Sequence, residues 1–340
     1  MSMLKATERS IGEDVRIITL GQAIREALAE EMRRDPRVFI MGEDVAEAGT
    51  PFKVLSGLVE EFGTSRVIDT PISEAGITGL GVGGAMTGMR PIVDIMFGDF
   101  IALAMDQIVN QAAKVHYMSG GKLKVPLVVR TTLGATRRTG AQHSQSLHAW
   151  VSHVPGLKVV LPSTPYDAKG LLKTAIRDEN PVIFFEDKMM YQLKGSVPEG
   201  DYTIPFGVAD IKRSGTDITL VATSSMVQVA LEAGEQLGAM GISAEVVDPR
   251  TTFPLDKQTL IESAKKTSRA IVIDEGYERY GVTAEMAAVI ADGAFYYLDA
   301  PVKRMGAMDV PVPFSPILED LTVPTANAVM ELAKTLCGRI

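Results

Sequence analysis

The sequence predicts an α/β protein built of two doubly wound domains. Three observations carry that expectation. The chain has 340 residues, which suits two domains at ~100–200 residues each. Hydrophobic residues make up 46% and charged residues 22%, the balance of a soluble globular chain with sizeable cores, so global disorder and fibrous architecture are excluded. Short apolar runs alternate with helical patterns from residue 17 to about 186, and the alternation restarts near residue 218.

Taken in order, the first helix is expected over Leu20 to Arg34, where Ile24, Leu28 and Met32 recur every four residues. Thr19 with Gln22 three places on forms a capping box that starts it. Strands are expected at Val38–Met41, Arg66–Asp69, Ile92–Met96, Leu127–Thr131, Lys158–Leu161 and Val182–Phe185. Their apolar character is continuous, as it is in parallel sheets covered on both faces. Gly195–Gly207 is rich in Gly, Pro and charge and reads as a linker. Beyond it come strands at Ile218–Ala222, Glu245–Asp248 and Ile271–Asp274, a proline-rich irregular stretch, and a closing helix over Ala326–Leu336. The expected division is 16–190 for the first domain, 191–214 for the linker and 215–340 for the second domain.

The net charge of −8 argues against an electrostatic nucleic-acid binder. A single cysteine, Cys337, forbids an intrachain disulfide and a cysteine metal cluster. No apolar run approaches the ~18 residues of a spanning helix. Residues 1–15 have neither the apolar core of a secretory signal nor the acid-poor composition of a transit peptide, and read as a loose arm. A cytoplasmic location is the expectation.

Gly79-Leu-Gly81-Val-Gly83-Gly84 spells G-x-G-x-x-G. A dinucleotide fingerprint follows its strand directly. Here the spelling sits inside an expected helix from Ser73 to Thr87, so close packing is the favoured reading. Glu74 stands where a strand gives way to that helix. It either complements the helix dipole or is a site carboxylate on the rim where doubly wound folds bind ligands. His143 lies in a loop, Gly134 to Gln145, between a strand and the next helical segment. Such loops carry chemistry, although a lone loop histidine is more often a plain hydrogen-bonding residue. His143, His148 and His153 are spaced by five and scatter around a helix, which disfavours a zinc site. Arg137 and Arg138 are anion contacts or a solvated basic turn.

Met41-Gly-Glu-Asp-Val45, Asp69-Thr-Pro-Ile-Ser-Glu74, Met89-Arg-Pro91, Asp106-Gln-Ile-Val-Asn-Gln111, Tyr117-Met-Ser-Gly-Gly121, Gln142-His-Ser-Gln145, Pro155-Gly-Leu-Lys158 and Asp167-Ala-Lys-Gly170 occur in this order. Together they resemble the β subunit of the thiamine-diphosphate-dependent first component of 2-oxo acid and acetoin dehydrogenase complexes. The resemblance covers the chain from about residue 16. It implies an N-terminal pyrimidine-binding (thiamine diphosphate) domain, a C-terminal transketolase-like domain, and an α2β2 heterotetramer with active sites between α and β chains. In the family the α chain carries the Gly-Asp-Gly motif for Mg2+ and the diphosphate; this sequence has no Gly-Asp-Gly.

Carried over by the resemblance, Glu74 hydrogen-bonds N1′ of the aminopyrimidine and exchanges a proton there. Phe100 and Ile72 border the pyrimidine, and Glu43 lies near the cofactor. His143 faces the thiazolium end and assists transfer to a lipoyl group. Carbonyls of Leu127, Ala175 and Ile176, with Asp178 and Asn180, match a potassium site of some relatives; the alternative is an ordinary helix C-terminus closing before Pro181. The implied partners are an α subunit and a lipoyl-bearing dihydrolipoyl acyltransferase.

Val182–Lys188, Asp201–Gly207 and Arg130-Thr-Thr132 most resemble acetoin dehydrogenase β subunits. Pyruvate dehydrogenase is the main alternative and branched-chain substrates come third. The arginine pair departs from the small apolar residues of many relatives, and would suit an anionic substrate carboxylate. A docking scaffold for the acyltransferase core is the rival reading of another class; a transketolase-like enzyme acting alone is the third.

Overall fold

The computed structural model describes residues 15–338. The arm expected over residues 1–15 lies outside the described residues except for Val15, which opens a strand. The strands are β1 (Val15–Thr19), β2 (Val38–Gly42), β3 (Val67–Asp69), β4 (Arg90–Ile95), β5 (Val128–Leu133), β6 (Lys158–Val160) and β7 (Val182–Asp187), then β8 (Lys194–Pro198), β9 (Asp210–Arg213), β10 (Ile218–Ala222), β11 (Ala244–Asp248), β12 (Thr251–Phe253), β13 (Ala270–Tyr277) and β14 (Lys303–Ala307). The first sheet runs in the order β12-β6-β7-β5-β4-β2-β3, parallel except for β12. The second runs β14-β13-β10-β11-β9, parallel except for β9. β1 and β8 pair as a separate antiparallel ribbon.

Each sheet is buried on both faces, which explains the unbroken apolar runs. Ile40, Ile92, Val128, Val182 and Phe184 enter one core of the first sheet, while Met41, Val93, Val129, Ile183 and Phe185 enter the opposite one. In the second sheet Leu220 and Val246 face one core, and Val221 and Val247 the other. The period-two alternation of a strand is therefore present, but it sorts apolar residues between two cores instead of core and water.

The first helix spans Leu20–Arg34, with Leu20, Ile24, Leu28 and Met32 buried. Its capping box is closed: Gln22 N–H donates to Thr19 Oγ1 at 3.1 Å, and Thr19 N–H to Gln22 Oε1 at 2.8 Å. The helix Pro165–Arg177 packs on it. There the wholly buried ammonium groups of Lys169 and Lys173 each meet Glu30 at 2.7 Å. The helix Glu74–Met86 contains the glycine-rich spelling. A Cβ on Gly81 would meet Val93 Cγ2 at 2.6 Å and Leu127 Cδ1 at 3.2 Å. These glycines let the helix lie close on the sheet, and no strand feeds directly into them.

The segment expected as a linker, 191–214, is not devoid of regular structure. It carries β8 and β9. Its glycines and prolines hid two short edge strands, and edge strands take their order from partners that lie far away in sequence. The two halves are also sewn together by β12, which leaves the second half of the chain to pair with β6. Beside that seam lies a buried ionic cluster. The wholly buried Asp167 carboxylate accepts from Arg250 Nε at 2.8 Å and from Thr164 Oγ1 at 2.5 Å, and pairs with Lys212. Arg250 Nη2 also reaches Asp210 at 3.0 Å. Asp248 accepts from Ser163, and burial together with neighbouring Asp167 raises its pKa.

Removing one partner of a buried pair strands the other charge in low dielectric. Arg250→Met is therefore expected to cost about 3 kcal/mol. Chemical denaturation followed by circular dichroism checks it; an unchanged midpoint would count against the seam as a stability element.

Candidate active site

β2 is followed by β3 on one side and, after a crossover, by β4 on the other. That reversal opens a crevice at the carboxyl ends of the strands, where open α/β sheets bind ligands. Five expected residues stand on segments leaving adjacent strands of this rim: Glu43 after β2, Ile72 and Glu74 after β3, Phe100 after β4, and His143 after β5. Two further contacts draw the rim together. Ala46 N–H donates to Asp69 Oδ1 at 2.7 Å, tying the loop after β2 to the end of β3. The helix Glu74–Met86 packs on the 3-10 segment Gly98–Ala104 that carries Phe100.

Glu74 is the first residue of its helix and is half-buried, with no hydrogen bond or ion pair among the described residues. Its charge reaches Glu43, whose carboxyl is held above its ordinary pKa by burial first, then by Asp44 and Glu74. Beside this acidic edge Ile72 is 71% exposed. Buried hydroxyls of Thr50 and Thr70, in the loops after β2 and β3, have no hydrogen-bond partner. An unpaired carboxyl, an uncovered aliphatic side chain and free hydroxyls suit a neutral, partly apolar heterocycle with polar edges, so the aminopyrimidine end of thiamine diphosphate fits here. The same carboxylates would repel a diphosphate. Among the described residues no group of three His, Cys, Asp or Glu side chains is arranged to hold a metal ion.

His143 stands edge-on to Phe97 and Phe100, with ring centroids 4.8 and 5.2 Å away. Its backbone carbonyl accepts from Lys188 Nζ at 2.9 Å and from Thr139 Oγ1 at 3.0 Å. Gln145 N–H on the far side of the loop donates to Asp99 Oδ1 at 3.1 Å. Gly98 makes the tight turn beneath Phe100 feasible, because a Cβ there would meet Thr132 O at 2.3 Å.

The arginine pair divides. Arg138 is bound to the second half of the chain, meeting Glu319 at 2.8 Å, Asp320 at 2.7 Å and Pro316 O at 3.1 Å. Arg137 is exposed, and its guanidinium lies over the Phe52 ring, 5.0 Å from the centroid. Phe52 in turn contacts Phe97 at 5.9 Å, so Arg137 borders the aromatic cluster that holds His143.

The potassium set lies at the opposite, N-terminal edge of the sheet. Leu127 O accepts from Val182 N–H at 2.9 Å, Ala175 O from Asp178 N–H at 3.3 Å and Ile176 O from Arg90 Nη1 at 2.9 Å. Asp178 pairs with Lys158 and accepts from the Asn180 side chain at 2.9 Å. An ion among these donors would face a guanidinium and an ammonium. The set does not fit potassium, and no role is derived through it.

Several residues of the site escaped the sequence reading: Phe97, Asp99, Lys188 and Glu275. Glu275, on β13, accepts Ala135 N–H at 2.5 Å and Ser225 Oγ–H at 2.9 Å. His148, read only as one of a scattered set, is buried against Asp274 at 3.0 Å. A charged residue inside an apolar strand, as in Val182–Lys188, was the available signal, but nothing in the sequence named its partner.

Residues 17–194 match the family model of the transketolase pyrimidine-binding domain, and residues 207–329 that of the transketolase C-terminal domain. The chain is 51% identical to the acetoin:2,6-dichlorophenolindophenol oxidoreductase subunit beta of Bacillus subtilis, over 95% of this chain and 98% of that one. It is 50% identical to the pyruvate dehydrogenase E1 component subunit beta of Rickettsia felis, over 94% and 98%. Among solved structures a split-gene transketolase, described as an inactive beta4 tetramer, superposes with a TM-score of 0.77 at 24% identity, covering 94% of this chain and 98% of that one, a likeness of fold. With both domain models matched and half its residues shared with such subunits, the chain belongs to the transketolase-like family of β subunits of thiamine-diphosphate-dependent 2-oxo acid and acetoin dehydrogenases.

Proposed function

We propose that this chain supplies the aminopyrimidine half of a thiamine-diphosphate site completed by an α subunit, and that the assembled enzyme cleaves acetoin and passes the resulting unit to the lipoamide of an acyltransferase. Pyruvate, then branched-chain 2-oxo acids, are the alternative substrates. The cytoplasm is the compartment this reading expects. One observation carries it: Glu74, a half-buried carboxyl without a partner, stands at the strand-order reversal beside exposed Ile72.

Bound thiamine diphosphate supplies an electron sink for breaking a C–C bond next to a carbonyl. Glu74 holds and returns a proton at N1′ of the aminopyrimidine, a task its position within reach of an enclosed ring serves. Ile72 and Phe100 wall the ring and exclude water. Glu43 keeps this edge negative, which leaves the diphosphate and Mg2+ to the α subunit. His143, backed by Phe97 and Phe100, presents its imidazole to the reacting carbonyl, orients it and gives or takes its proton.

The test is co-expression with the α chain and dye reduction with acetoin, pyruvate or 3-methyl-2-oxobutanoate, with thiamine diphosphate and Mg2+ supplied. Preference for acetoin is the expected result. Preference for a 2-oxo acid would overturn that assignment and make Arg137, whose guanidinium is not spent on a carboxylate, the candidate contact for the substrate's carboxyl group. Glu74→Gln should assemble normally and lose about a hundredfold or more in turnover; wild-type turnover would remove Glu74 from the mechanism.

Glu43 offers a second check. Its raised pKa means the folded state disfavours the ionised form. That cost is fully expressed well above the folded pKa and vanishes as pH falls below the ordinary value of 4.5. Glu43→Gln should therefore raise Tm at pH 7 to 8, with the gap closing towards pH 4. A gap independent of pH would contradict the electrostatic account.

A further inference from the structure

We propose that Lys188 is a positioning residue for His143: its buried ammonium clasps the two ends of the loop on which that imidazole stands. The inference rests on the role given to His143 above.

Lys188 follows β7 directly and is among the largest wholly buried side chains. Its Nζ donates to Gly134 O, where the loop leaves β5, and to His143 O at 2.9 Å, where the loop presents the histidine. One side chain thus closes the base of the loop. The chain at Gly134 is drawn in closely: its φ is +103°, and a Cβ would lie 3.0 Å from Asp187 Oδ2. Glycine tolerates that backbone and that approach.

A buried lysine can be a mere counter-ion, and carboxylates do surround this one. Burial pushes its pKa down, while Asp187, Glu275, Asp99 and Glu319 oppose the shift. Yet among the described residues its hydrogen bonds go to two carbonyls of the loop and to no carboxylate. Three of these carboxyl groups are occupied with the same loop, while Asp187 accepts from Met189 N–H at 2.7 Å. Glu275 takes Ala135 N–H at 2.5 Å, Glu319 takes Arg138 N–H at 3.1 Å and Asp99 takes Gln145 N–H at 3.1 Å. Backbone amides are therefore gripped by carboxyl groups along the loop, that of Glu275 held well above its ordinary pKa by burial and by Asp187, and its carbonyls by one cation. Such a cage fixes the direction in which His143 points. The ammonium is the part of the cage that touches His143 itself.

The test uses Lys188→Met in the assembled α/β enzyme, read by hydrogen-exchange mass spectrometry and steady-state kinetics. Amides of 134–147 should exchange at least about tenfold faster, while the helix 165–177 keeps its rates. kcat should fall about a hundredfold with KM within about twofold, the mark of a misplaced group rather than a lost binding contact. Unchanged loop exchange overturns the proposal. So does exchange that rises evenly across the fold, since Lys188 would then serve stability alone. If Lys188→Met does not assemble, Lys188→Gln, which keeps a donor for one of the two carbonyls, carries the same comparison with an intermediate effect. His143→Ala separates this proposal from the functional reading: wild-type turnover in that variant removes His143 from the mechanism, while the exchange data still decide whether Lys188 holds the loop.

Discussion

The seam between the two sheets governs the rest of the structure. β12 crosses from the second half of the chain to extend the first sheet. The residues flanking it carry Arg250 and Asp248 into contact with Asp167, on a helix of the first half, and with its hydroxyl neighbour Ser163. Lys212 on β9 pairs with Asp167 in the same cluster. A desolvated ionic cluster tolerates little displacement, because each ion depends on partners that water cannot replace. It therefore fixes the register of one half against the other more tightly than apolar contact alone. The candidate site depends on that register. Glu275 and Glu319 belong to the second half, and both hold amides of the His143 loop. A shift at the seam would reach His143 through them.

The site rim is electrostatically one-sided, and that makes sense of a divided enzyme. Glu43, Asp44 and Glu74 lie at one edge, and burial, with added repulsion from Asp44 and Glu74, raises the pKa of Glu43. A single chain that also bound a diphosphate would have to place cations or a metal beside these groups. In the reading proposed above, pairing would consume the carboxyl assigned to proton exchange. Placing the anionic end of the cofactor on another subunit would leave Glu74 unpaired. The cost is a chain with an uncovered crevice, of which exposed Ile72 is the clearest sign.

The sequence made the strands legible because both faces of each sheet are covered, so the apolar runs are unbroken. The capping box marked the first helix to the residue. β1, β8, β9, β12 and β14 were not legible: they are edge strands or short ribbons whose order comes from distant partners. Glu43, Ile72, Glu74 and His143 stood out through ordered motifs and Phe100 through the resemblance those motifs carry, and their shared rim follows from the strand order, which no local pattern encodes. Lys188 and Glu275 were hidden for another reason. A charge at the end of an apolar strand reads as the strand's exit into solvent, and only the fold shows that both remain buried. The potassium set matched by spacing alone, whereas Arg90 and Lys158, which bring positive charge to it, are remote in sequence.

The choice of ammonium over a neutral donor at position 188 follows from the same logic. The carboxylates that surround the loop would repel one another if nothing balanced them. A neutral amide has two donors but would balance none of that charge. An ammonium has three donors on one atom, enough for both carbonyls at the loop's base, and its charge lies where the surrounding carboxylates converge. Burial lowers the proton affinity of such a group, so it persists only while the carboxylates remain in place. The loop, the second half of the chain and the lysine therefore hold one another, and in the proposed reading His143 takes its direction from groups that lie outside the candidate crevice.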